Sequence, residues 1–184
     1  MQKTPPFLIL NNMPCAITAG YSIGCRDGVG GIDAIFFAEF DNMTIAEASG
    51  TVTGITKATG KRFWKFEIPT KSSANAASNP VGSIENGTLF FEQTIDFPVN
   101  KRDATTRNIV TTLAKNKVIA VTKDKDGVYR LYGKANGLYL GQSTGQTGTV
   151  AADANGYMLK FEGSEQEDFF VVTNAIGLAL ETPG

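Results

Sequence analysis

The side chains that most often do chemistry in proteins are scarce in this sequence, and one is missing: there is no histidine among its 184 residues. That removes Ser–His–Asp triads, imidazole general bases and imidazole metal ligands together, leaving Glu, Lys and Tyr for acid–base work. The two thiols, Cys15 and Cys25, are separated by nine residues and form no CxxC pair. With no imidazole to complete a zinc site they are expected to be buried thiols of a chain made in a reducing cytoplasm. Glu165, Glu167 and Asp168 form the tightest carboxylate cluster. A glycosidase needs two carboxylates facing each other across a sugar, and no opposing partner can be named, so a solvated acidic loop is the expectation.

Three glycine- or aspartate-rich runs imitate ligand loops and fail on inspection. Gly54 to Arg62 resembles a phosphate loop, but its glycines are six apart rather than five, Arg62 stands where a Mg-binding hydroxyl is needed, and a strand follows instead of a helix. Gly24 to Gly31 lacks the third glycine of a dinucleotide fingerprint and also precedes a strand. Asp124-Lys-Asp126-Gly127 has too few ligands for calcium and reads as a hairpin turn. No catalytic residue, cofactor or metal is therefore expected. Lys125, Tyr129, Arg130, Tyr132 and Lys134 interleave cations with aromatics; they read either as a stacking surface for single-stranded nucleic acid or as a surface ladder.

Charge narrows the partners. The net charge is −1, which provides no global field for nucleic acid. The charges are uneven, however. Residues 101–134 hold nine Lys/Arg against three Asp, a net of +6, and residues 135–184 hold one Lys against six acids, a net of −5. The two blocks either neutralise each other within the fold or form opposing faces of a subunit that stacks on copies of itself. No stretch approaches the roughly 20 apolar residues of a membrane span, so no membrane is expected. The sequons at Asn42 and Asn86 carry no weight without a secretory route.

The elements that must position these residues are mostly strands. In Gly87–Phe97 the odd positions Leu89, Phe91, Ile95 and Phe97 are apolar among polar even ones; Trp64, Phe66 and Ile68, and Tyr157, Leu159 and Phe161, repeat the alternation. Further strands are expected at Asp33–Phe40, Thr51–Thr56, Lys117–Lys123, Val128–Tyr132, Gly137–Leu140 and Phe169–Thr173. Turns are marked by Asn86-Gly87, Asp126-Gly127, Asn136-Gly137 and Asn155-Gly156. One helix breaks the pattern at about 103–116, with Asp103 as N-cap and an apolar stripe of Ile109, Val110, Leu113 and Ala114. Ser72–Ser83 and Ser143–Ala154 read as long loops. The plan is one mainly β domain over residues 1–184: two packed antiparallel sheets, a β-sandwich or partial barrel, flanked by one helix. Arms are expected at about 1–15 and 174–184. Phe63 and Phe90 sit on strand faces that are otherwise polar, so they are either core residues covered by the helix or contacts between subunits.

Four segments carry a family resemblance. They are Arg26-Asp27-Gly28-Val29-Gly30-Gly31-Ile32-Asp33, Glu85-Asn86-Gly87-Thr88, Asp103-Ala104-Thr105-Thr106-Arg107-Asn108, and Gly156-Tyr157-x-Leu159-x-Phe161-x-Gly163-x-Glu165. In order and spacing they resemble small virion proteins of tailed phages of Bacteroidota, the crAss-like phages included. The resemblance spans roughly residues 20–173 and is nearest to tail tube proteins, with neck and ring proteins next. It implies two packed sheets with a flanking helix, assembled into stacked, hexameric rings whose hairpins close a β-barrel around a lumen. It implies a virion tail location after assembly in the host cytoplasm. The partners would be copies of the chain itself, other tail or neck proteins, and DNA passing through without specific binding. Arg26 and Asp27, and Ser72 and Asn79 of the long loop, join Phe63 and Phe90 as expected subunit contacts. The other readings are a tail-end adaptor and a carbohydrate- or receptor-binding module, using Trp64, or Tyr129 with Tyr139.

Overall fold

A computed structural model of the chain describes residues 19–23, 28–69, 74–150 and 153–181. Among them the first strands are β1 (Ile32–Glu39), β2 (Met43–Ala48), β3 (Thr51–Lys57), β4 (Trp64–Glu67), β5 (Asn75–Ser83) and β6 (Thr88–Asn100). Helix α1 (Ala104–Lys115) leads to β7 (Val118–Asp124), β8 (Tyr129–Tyr132), β9 (Tyr139–Gln146), β10 (Gly156–Glu165), β11 (Phe170–Val172) and helix α2 (Asn174–Glu181). They form a seven-stranded sheet in the order β2-β3-β11-β8-β7-β1-β4 and a four-stranded sheet in the order β5-β6-β10-β9. Every pairing is antiparallel except β11 with β3, the one departure from the expected pattern of pairing.

The run Ile35-Phe36-Phe37-Ala38 explains the layering. It is apolar without alternation because both faces of β1 are buried. Ile35 and Phe37 enter the space between the sheets, where they meet Ile95, Phe97, Leu159 and Phe161 of the four-stranded sheet. Ala34, Phe36 and Ala38 point the other way, into a second cluster with Val52, Phe63, Leu131 and Val172. Met43, Ile45 and Ile55 of β2 and β3 also pack on that second cluster. Strands from opposite ends of the seven-stranded order thus share one apolar centre, so this sheet curls around it as an open, partial barrel.

Helix α1 begins where expected. The Asp103 carboxylate accepts the Thr106 N–H at 2.7 Å, satisfying a donor that the first turn leaves without an intrahelical partner. Val110 is buried and Leu113 packs beside it on the inter-sheet core, while Ile109 and Ala114 face outward. The helix carries the chain from the end of β6 to the start of β7, and therefore seals the side of the sandwich next to β9.

Three expectations of irregular backbone are corrected. Most of Ser72–Ser83 is strand β5, paired to β6 from Asn75↔Asp96 to Ser83↔Thr88. Its small polar residues have little strand preference, but a thirteen-residue partner offers a full ladder, and Pro80 is tolerated on an edge strand. Ser143–Gln146, in the second supposed loop, belongs to β9. The segment Asn174–Glu181 is a helix rather than an arm: Ile176 and Leu180, one turn apart, pack on the second cluster, and Gly177 lies against the Tyr129 ring where no side chain would fit. The supposed N-terminal arm, 1–15, lies outside the described residues.

Three groups tie α2 down. The Glu181 carboxylate accepts hydrogen bonds from the Tyr129 hydroxyl and from Lys123 Nζ, the latter at 2.7 Å. The bonds from Lys123 and Tyr129 hold the Glu181 carboxyl below its ordinary range. The bond to Glu181 holds the Lys123 ammonium above its ordinary range, and burial, then Glu181, pushes the Tyr129 phenol up. A lowered acid stabilises above its unfolded pKa of about 4.3 and loses that contribution as pH falls through the folded value; a raised Lys or Tyr loses its contribution as pH rises beyond about 10. Docking of α2 is therefore expected to be strongest between these limits and to loosen on both sides. The Gly177 α-proton resonances, expected to be shifted by the Tyr129 ring beside them, should move toward random-coil positions below pH 4 and above pH 10. Resonances that stay fixed across that range would contradict the assignment.

Candidate functional site

The carboxylate cluster is structural. Glu165 is 3% exposed, and its two oxygens accept the backbone N–H groups of Ala135 (3.0 Å), Asn136 (2.8 Å) and Gly137 (3.1 Å). Glu167 pairs with Lys134, and Asp168 accepts the Phe169 N–H at 2.7 Å. Glu167 and Asp168 are exposed, as expected of a solvated loop, but Glu165 is a clamp that holds the β8–β9 turn and has no open face for a substrate. The interleaved aromatics are equally committed: Tyr132 faces the inter-sheet core and Tyr129 the second cluster, while Arg130 pairs with Asp124 and Lys134 with Glu47. Neither a stacking surface nor a surface ladder exists there. With Tyr129 buried, the sugar-binding alternative keeps Tyr139 and Trp64; Trp64 is 58% exposed, but the Arg62 guanidinium lies 3.9 Å over its ring. Asp124 and Gly127 form the β7–β8 turn as read. Among the described residues no cluster of acids and thiols could hold a metal, and no helix is long and apolar enough to cross a membrane.

What the fold leaves unfinished is the four-stranded sheet. β10 pairs with β6 from Gly156↔Asn100 to Glu165↔Phe91 and stops there, so Thr88–Phe90 and their β5 partners Val81–Ser83 extend past their neighbour as a free hairpin. Period two places Leu89 and Phe91 on the face shared with buried Gln93, Ile95 and Phe97, and Phe90 with Val81 on the opposite face. Apolar side chains therefore project from both sides of a hairpin in water. Leu89 is 66% exposed, and Ile84 at the turn is fully exposed. Soluble monomers seldom keep such a feature without a partner for it.

The edges of this sheet point the same way. β5 (NAASNPVGS) and β9 (YLGQSTGQ) are its two outer strands, and neither contains a charged residue. Exposed edges are usually blunted by charge, proline or a bulge, or kept very short. β5 has Pro80 and β9 a bulge opposite Lys160 and Phe161, but neither has a charge. The seven-stranded sheet follows that rule: β4 has four residues and carries Lys65 and Glu67, and β2 carries Glu47. The face of the four-stranded sheet turned away from the core carries Glu92, Asp96 and Glu162 against Lys160, so its charge is net acidic, with exposed Met158 and Tyr139 and the hairpin's Phe90 beside them.

The expected contact residues separate on this surface. Phe90 lies on the overhanging hairpin and Asn79 is exposed on the β5 edge. Phe63 is 8% exposed within the second cluster, covered by its own chain rather than by α1, so it presents no surface to another subunit. Its misleading parity arises because β4 starts only at Trp64, leaving Phe63 in the preceding turn. Arg26, Asp27 and Ser72 lie outside the described residues. Sequence reading missed Ile84, Leu89 as an exposed residue, and the β9 edge. The segment before β1 adds exposed Tyr21 and Ile23, and the space around Gly20, Gly28 and Gly30 is open. The two charge blocks partly cancel inside the fold, through Lys123 with Glu181 and Lys134 with Glu167. No known protein family, curated protein or solved structure matches the chain.

Proposed function

We propose that this chain is the repeating structural subunit of a bacteriophage tail tube. The four-stranded sheets of neighbouring copies join edge to edge, β5 of one beside β9 of the next, and close a barrel around a lumen. The observation that carries this reading is the unfinished sheet, with its two uncharged edges and its hairpin apolar on both faces. Edge pairing between copies would satisfy the free backbone groups of β5 and β9, and packing between copies would bury the hairpin. The acidic outer face of the sheet would then line the lumen. DNA moving through a conduit must not be gripped by its phosphates, and a lining with Glu92, Asp96 and Glu162 around Lys160 repels them. Hexameric rings would stack along the tail of the virion and meet other tail or neck proteins at its ends. The subunit would do no catalysis.

Phe90→Asp tests the reading. The side chain is half-buried on the hairpin beyond the reach of β10, so the variant is expected to fold with an unfolding midpoint close to wild type. Its assembly should need at least about tenfold more protein, because a charge would be buried at a contact between copies. A variant that assembles like wild type would remove the hairpin from the interface. An unfolded variant would make Phe90 part of the chain's own core.

A further inference from the structure

The four-stranded sheet has two dissimilar ends. At one end is the β5–β6 turn, Ile84-Glu85-Asn86-Gly87. The turn is held by the Gly87 N–H on the Ile84 carbonyl (3.3 Å) and by the Asn86 N–H on Ser83 Oγ (3.3 Å), with Gly87 in the left-handed region at φ 62°. It presents exposed Ile84 and the Glu85 carboxylate, which has no ion pair among the described residues. At the other end β6 finishes at Asn100 opposite Gly156, and the Lys101 N–H bonds to the Asn155 carbonyl at 2.9 Å. Two adjoining hollows open there, of about 530 and 370 Å³, and both are lined by Arg102 and Thr147. Arg107 lines the second hollow, and the Arg102 guanidinium sits 5.4 Å over the Tyr157 ring.

The cleft holds two arginines and two acids, but no ion pair joins them among the described residues. Its two acids are engaged with their own backbone: Asp103 caps α1, and Asp153 accepts the N–H groups of Thr149 (2.7 Å) and Val150 (3.0 Å). These bonds hold both carboxyls below their ordinary range, so both stay ionised as loop anchors. Arg102 and Arg107 have no ion pair among the described residues. Elsewhere in the basic block Lys123, Arg130 and Lys134 are each matched by an acid within the chain. Two guanidinium groups without an ion pair among the described residues thus lie side by side at this cleft, and Glu85, likewise without one, sits at the opposite end of the same sheet.

We infer that copies stack head to tail through this pair of ends: the turn bearing Ile84 and Glu85 of one copy seats in the cleft of the next, with Glu85 bridging Arg102 and Arg107. The inference rests on the tube reading and gives that tube a stacking contact. A guanidinium offers two parallel N–H groups to one carboxylate, so a pair of arginines gives orientation as well as attraction. The contact is heterologous, made by surfaces at opposite ends of one sheet, so copies related mainly by translation along the strands propagate it along an axis. It also sets a length. β6 contains thirteen residues, which at about 3.3 Å each limits the repeat between stacked copies to roughly 43 Å, and less if the strands tilt.

Charge exchange in the full chain tests this. Glu85→Arg, and separately Arg102→Glu with Arg107→Glu, should each raise the protein concentration needed for stacking by at least about tenfold. Combining all three changes in one chain, or mixing the two variants in equal amounts, should restore stacking to within about threefold of wild type. Independently of any variant, raising salt from about 0.05 to 0.5 M should shorten wild-type stacks by screening the pair. Variants that stack like wild type, or an exchange that fails to rescue, would overturn the contact while leaving the tube reading in place. A wild-type chain that never assembles would overturn both. A cleft that binds inorganic phosphate while both variants still stack normally would make it an anion site and not a docking site.

Discussion

Truncation of Phe37 to alanine is expected to cost about 3–5 kcal/mol of folding free energy, the range for removing a large aromatic from a packed core. Phe37 is fully enclosed between the sheets, with ring centroids of Phe161 at 4.9 Å, Phe66 at 5.4 Å and Phe97 at 5.5 Å. Two of these rings belong to the four-stranded sheet and one to β4 on the other layer. The alanine variant would lose the contacts that hold the layers together as well as the transfer energy of one side chain. At about 2–4 °C per kcal/mol for a chain of this size, the melting temperature should fall by roughly 6–20 °C. Phe37→Leu should recover much of the loss because it refills most of the volume. The contrast with Phe90→Asp is informative, since two aromatic residues on strands should differ almost completely in effect: one holds the sandwich together and the other is proposed to pack against a neighbouring copy. A Phe37→Ala variant with an unchanged unfolding midpoint would contradict the inter-sheet core.

Replacement of Glu165 by alanine should cost about 2–4 kcal/mol by a different route. Three backbone donors lose their acceptor. Ala135 and Asn136 are exposed enough to turn to water, but Gly137 is buried and would be left unpaired. The turn they belong to also matters to its surroundings. The Gly133 N–H bonds to Oε1 of buried Gln93 at 2.8 Å, and Leu138, buried in the core, pairs with Val118 across the layers. Gly133 and Gly137 both adopt positive φ, so the turn depends on outside support to hold its shape. Loosening it would release the start of β9, and with it one of the two edges on which assembly is proposed to depend. The alanine variant should therefore lose assembly along with stability, whereas Glu165→Gln, which keeps one acceptor oxygen, should fall between. Equal stability of all three chains in a urea titration would contradict this role.

These side chains show which parts of the molecule were legible in the sequence. Alternation at Leu89 to Phe97 and at Tyr157 to Phe161 identified β6 and β10 because each has one face on the core. The Asp103 cap located α1 to the residue. β5 was not visible: Asn75–Ser83 has no apolar period, and it is a strand because β6 supplies its ladder. α2 was hidden for a similar reason, as its small apolar residues become helical against Tyr129, with Glu181 fixed by Lys123 from a distant strand. The role of Glu165 left no local signal, since its partners lie almost thirty residues away and are backbone groups. At the candidate site, the misplaced apolar residue at Phe90 was readable from parity alone. That Leu89 is exposed was not, because it follows from β10 ending at Glu165 and depends on the register between two strands.

The most direct test of the assembly claim is the mass and shape of the purified chain over a concentration series, by light scattering together with negative-stain microscopy. The account predicts rings that lengthen into hollow tubes as concentration rises, with an axial repeat no greater than about 43 Å set by the thirteen-residue β6. A compact particle of 19.6 kDa at every concentration would contradict it.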